Sequence, residues 1–74
     1  MEHFNVRAEL ATRRHGVDDD LIDALAGYSP AVSRSDRGRV EVIITVPADT
    51  LRQAITTALP LIEQAGNAGV KRWR

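Results

Sequence analysis

The basic side chains fall into three clusters that can grip an anion: Arg13 and Arg14 beside His15, Arg34 with Arg37 and Arg39, and Lys71, Arg72 and Arg74 around the single tryptophan, Trp73. Arginine forks match the geometry of carboxylates and phosphates, and an indole set among cations can stack on a nucleobase while they hold the backbone. Arg13, Arg14, Arg34, Arg37, Arg39, Lys71, Arg72 and Arg74 are therefore the candidate anion or nucleic-acid residues. Acidic side chains oppose this reading. Asp18, Asp19, Asp20 and Asp36 lie close to the first two clusters in the chain and can neutralise them as solvated pairs. Ten basic and ten acidic residues cancel overall, so no strong net field draws the chain onto a polyanion. The last four residues carry +3 and the other seventy carry −3.

Signals of catalysis are sparse. His3 and His15 are isolated from each other and from carboxylates at ligand spacing, so no metal site is expected. The run Asp18-Asp19-Asp20 points in successive directions on a helix, which suits helix initiation better than cation binding. There is no nucleophile elbow, no phosphate-binding glycine loop and no cysteine, and hence no disulfide framework and no thiol chemistry. The sequence reads as a protein without enzymatic activity, cofactor or metal.

These residues need elements to position them. Phe4, Val6, Ala8 and Leu10 alternate with Asn5, Arg7 and Glu9, which predicts a strand over about 3–11 with one buried face. A helix follows over about 18–27, with Asp18 or Asp19 as its cap, Leu21, Ile22 and Leu25 as its apolar stripe and Gly27 at its end. Strands over about 31–36 and 39–47 flank the turn Asp36-Arg37-Gly38. In the second of them Val40, Val42, Ile44 and Val46 face inward, with Glu41, Ile43 and Thr45 outward. Leu51, Ala54, Ile55, Ala58, Leu59, Ile62 and Ala65 then follow helical spacing, predicting a helix over about 49–65, with Pro60 expected to kink or break it near residues 56–57. Gly66, Asn67 and Gly69 end that helix and lead to a short strand over about 70–74.

Strand, helix, strand, strand, helix and short strand is the order of a ferredoxin-like or split βαβ plait: an α+β domain spanning residues 1–74, with an antiparallel sheet of three or four strands and two helices on one face. In that topology the first two strands run the same way, so Arg13, Arg14 and His15 are expected beside Arg34, Arg37 and Arg39 at one end of the sheet. The open sheet face lacks the aromatic platform of an RNA-recognition plait, and its acids Glu9 and Glu41 would repel phosphate. Ile43 is an apolar residue on that face and, with Tyr28 and Trp73, is a candidate interface anchor. The stretch "YSPAVSRSDRGRVEVIITVPADTLRQAITTAL", with its Pro-Ala-Val, Arg-Gly-Arg and Val-Pro-Ala arrangement, resembles small uncharacterised actinobacterial and actinophage proteins. The resemblance implies the plait and such an origin, and brings no activity with it.

A domain of 74 residues without disulfides or metal is marginally stable alone, which favours oligomerisation. No apolar run approaches the roughly 20 residues of a membrane span. The expected protein is a cytoplasmic, non-enzymatic protein-binding or adaptor module, homodimeric through its open sheet face or a sheet edge. The alternative is a nucleic-acid-binding accessory or regulatory protein that uses the arginine-rich hairpin and the basic C-terminus.

Overall fold

The alternating segments form two long antiparallel strands, β1 (Glu2–Leu10) and β3 (Val40–Ala48), paired from Glu2 opposite Ala48 to Glu9 opposite Glu41. The computed structural model describes residues 2–12, 14 and 16–73. Between these strands the chain forms helix α1 (Val17–Ala24), a 3-10 turn (Ala26–Tyr28) and strand β2 (Ala31–Arg34). Helix α2 (Leu51–Gly66) and strand β4 (Val70–Trp73) follow β3. The sheet order is β2-β3-β1-β4 with every neighbouring pair antiparallel, an α+β arrangement consistent with a ferredoxin-like plait.

Both helices cover the same sheet face. Val6, Ala8 and Leu10 of β1 and Val40, Val42, Ile44 and Val46 of β3 are buried beneath Val17, Leu21, Leu25, Ala54, Ala58 and Ile62 in one apolar cluster. Thr50 caps α2, its hydroxyl accepting the Gln53 N–H at 3.1 Å, while Gln53 reaches back to the Asp49 N–H at 2.8 Å. Asn67 closes the other end in the left-handed region, at φ 50°. Helix α2 runs unbroken through residues 56–57. The carbonyl that Pro60 deprives of a partner belongs to Thr56, and both residues are exposed, so water can satisfy it.

Other local expectations are corrected. Helix α1 starts at Val17 behind Gly16 in the left-handed region, with no side-chain cap, so Asp18 and Asp19 lie inside its first turn. The helix stops at Ala24, and Gly27 lies in the 3-10 turn, where Tyr28 N–H bonds back to the Leu25 carbonyl. Ile22 and Leu51, counted in the apolar stripes, are about half exposed, at 45% and 54%. Val17 and Gly66 take up the buried positions instead. Strand β2 ends at Arg34 because the turn begins there: Ser35 N–H bonds to Arg39 O, Gly38 N–H bonds to Ser35 O, and Gly38 adopts a positive φ of 78°.

Candidate functional site

With the even-numbered residues of β1 turned to the helices, the odd-numbered ones occupy the other face. Asn5 accepts a 2.9 Å hydrogen bond from the Thr45 hydroxyl, and Arg7 lies 3.9 Å from Glu41 on the neighbouring strand. Farther along β1, Glu9 departs from the pattern of a wetted face. Its side chain is only 3% exposed. Strands β3 and β4 flank it, and the turn after β2 folds beside it. The Ser35 hydroxyl donates to Oε2 at 2.8 Å, Arg72 Nε donates to Oε1 at 3.0 Å, and Arg39 Nη1 stands 3.7 Å from Oε2. The Ser35 hydrogen bond, then that from Arg72, then the charges of Arg72 and Arg39 hold the Glu9 carboxyl below its ordinary value of 4.5. Burial pulls the other way and is outweighed. Among the described residues, every buried side-chain nitrogen or oxygen has a hydrogen-bond partner.

A depression of about 520 Å³ opens over this carboxylate, lined in part by Arg7, Arg37, Glu41, Arg72 and Trp73. Glu9 therefore acts as a keystone. One carboxylate ties together three segments distant in sequence: β1, the β2–β3 turn and the terminal strand. The sheet alternation places Glu9 in solvent and gives no hint of this role. Its partners are 26 and 63 residues away along the chain, beyond the reach of any local pattern.

The topology does bring the arginine segments to one end of the sheet. Arg34 Nη2 donates to the Arg14 carbonyl at 3.3 Å and to Asp18 Oδ1 at 3.1 Å, and Val40 N–H bonds to Thr12 O. Within that end the clusters divide. Arg34 is held by Asp18, while Arg39 and Arg72 converge on Glu9. Arg37 lines the depression, and Lys71 is exposed where the β1–β4 register shifts. Arg13, His15 and Arg74 lie outside the described residues. Of the interface candidates, Ile43 is half-buried between Arg7 and Ala31 in the sheet register, and Trp73 is 50% exposed on the edge strand. Tyr28 is not brought to them: it packs half-buried against the apolar core from the 3-10 turn. Among the described residues, no three His, Asp or Glu side chains gather closely enough to hold a metal ion, and no helix is long and apolar enough to cross a membrane.

Comparison with protein-family models, with curated proteins and with solved structures finds no match for this chain.

Proposed function

We propose that this protein is a small non-enzymatic binding module that works as a homodimer and contacts another protein through the open sheet face around Glu9. The observation that carries this reading is the internal matching of charge there. Arg72 and Arg39 are engaged by Glu9, Arg7 by Glu41, and Arg34 by Asp18. Four arginines and three carboxylates line the depression, leaving a formal charge of +1. A polyanion site needs cations whose charge is available to phosphate, because neutralising phosphates and releasing counterions drives that binding. A surface of both signs beside a half-exposed tryptophan suits a protein partner, since Trp and Arg are the residues that most often anchor such contacts. The charged and polar side chains that line most of the depression suit contact with a protein surface better than the predominantly apolar lining of small-molecule pockets.

The same balance weakens the nucleic-acid alternative. Trp73 is the only tryptophan, so its fluorescence reports directly on this end of the sheet. The test is sedimentation equilibrium combined with a titration of Trp73 emission by a twelve-residue oligothymidine at low and high salt. A dimer at micromolar concentration whose emission ignores the oligonucleotide is expected. A monomer at high micromolar concentration would remove the homodimer, and quenching at low salt that disappears at high salt would transfer the site to nucleic acid.

A further inference from the structure

The four strands differ in length in a way that leaves part of the sheet uncovered. Strands β1 and β3 have nine residues each, but β2 pairs only with Val40–Ile43 and β4 only with Ala8–Leu10. Both short strands flank the same end, the end of Glu9 and Glu41. Over the other half, no described strand lies beside residues 2–7 of β1 or residues 44–48 of β3 on their outer sides. A two-stranded ribbon with two open edges is a template for further strands unless something blocks it.

The two edges are not equivalent. Pro47 has no N–H, yet it sits within the β1–β3 ladder opposite His3. In an antiparallel ladder, residues facing each other alternate between pairs that bond mutually and pairs whose backbone groups point outward. Pro47 can belong only to the second kind. Its missing donor therefore falls on the outer edge of β3 and blunts it. The same alternation turns the N–H and C=O of His3, Asn5 and Arg7 to the outer edge of β1. Farther along the chain it sends the Ala11 N–H to Gly69 on the β4 side and the Val40 N–H to Thr12 on the β1 side. The β1 edge has no proline, and its donors and acceptors are arrayed for a partner.

We infer that this edge joins two copies of the chain, with β1 pairing antiparallel to the partner's β1 about a two-fold axis perpendicular to the sheet. The inference rests on the homodimer reading above and gives it an interface. The register follows from geometry. Residues facing each other across a continuous sheet must share a face, so their numbers sum to an even value. Trp73 already occupies the place opposite Ala8, so the longest overlap open to the partner's β1, which begins at Glu2, sets Glu2 opposite Val6. The axis then passes through Phe4. His3 bonds with the partner's Asn5, and Phe4 meets the partner's Phe4 in the closer, non-hydrogen-bonded type of pair. Phe4 is half-buried at the border of the apolar cluster, so the two cores become continuous, and no like charges face each other. The two charged depressions then open on the same side of one extended sheet, as a paired contact surface.

The test uses the full chain and three variants. Asn5→Pro removes an outward N–H that β3 does not use, while Asn5→Ala keeps that N–H and deletes the side chain that bonds Thr45. Phe4→Cys places a lone thiol in a chain without cysteine, so a disulfide can form only between copies. Light scattering after size exclusion should give twice 8.1 kDa for the wild type and Asn5→Ala, and 8.1 kDa for Asn5→Pro with its circular dichroism retained. Phe4→Cys should become a covalent dimer on mild oxidation. If the wild type is dimeric but Asn5→Pro stays dimeric and Phe4→Cys does not cross-link, the edge is wrong and the homodimer survives through another surface. A monomeric wild type overturns both. Should Asn5→Pro fail to fold, the cross-linking result decides alone.

Discussion

Replacing Gly66 with alanine tests how closely α2 is pressed onto β1 beneath the Glu9 cluster. A Cβ at this position would lie 2.7 Å from Leu10 Cδ1, with Leu21 Cδ2 at 3.5 Å. Carbon atoms rest at about 3.5 to 4.0 Å, so the Leu10 methyl has to retreat by roughly 1 Å. Leu10 is fully buried and Leu21 closes one side, so it has no solvent to move into. Overfilling a packed core costs about 1 to 3 kcal/mol. Alanine recovers about 0.5 to 1 kcal/mol of helix preference and reduced chain entropy over glycine, at the lower end here because Gly66 is the last residue of α2. The packing term wins, for a net loss of about 1 kcal/mol, or a fall in Tm of about 4 to 8 °C in a domain of this size. Thermal unfolding followed by circular dichroism reads it. Leu10→Ala alone should cost about 2 to 5 kcal/mol through its cavity. In the double variant the added methyl occupies part of that cavity, so the combined loss should fall short of the sum by about 1 kcal/mol or more. A Gly66→Ala protein as stable as the wild type, or more so, would refute the argument: the interface would have slack, and helix preference would decide the sign.

Glu9 gives a pH-dependent expectation. Its carboxyl titrates below the ordinary 4.5 in the folded chain, so the unfolded chain binds the extra proton first as pH falls. Its contribution is complete above that ordinary value and is lost as pH drops through the lower folded one. The Tm of Glu9→Gln should therefore lie below that of the wild type at pH 7, and the gap should close on acidification; a gap that holds constant to pH 2 contradicts the ionic role. Thr50→Ala removes the α2 cap and should cost about 1 kcal/mol in urea unfolding, with no change in oligomeric state. Glu63→Ala deletes the carboxylate that accepts the Val70 N–H at 3.1 Å, so amide exchange in β4 should accelerate well before that in β3. Uniform acceleration in both strands would show that β4 is not separately anchored.

What the sequence reveals and what it hides separate along one physical line. The alternation of Phe4 to Leu10 and of Val40 to Val46, and the helical spacing through Ala54, Ala58 and Ile62, are local signals, and each marks an element whose buried side the structure reproduces. Element order then constrains topology, which places Arg14 beside Arg34 although 20 residues separate them. Glu9 escapes because burial of a charge is decided by what arrives beside it. Nothing within a few residues of Glu9 announces Ser35, Arg39 or Arg72, and alternation alone assigns an odd-numbered residue of β1 to water. The same limit applies to Ile22 and Leu51: helical spacing marks a stripe, but the position of the helix on its sheet decides which margin of the stripe stays wet. The open β1 edge lies between these cases. Pro47 is visible in the sequence, but its meaning depends on register. Only once it stands opposite His3 does a single proline show that one edge of the ribbon is blunted while His3, Asn5 and Arg7 leave the other able to pair.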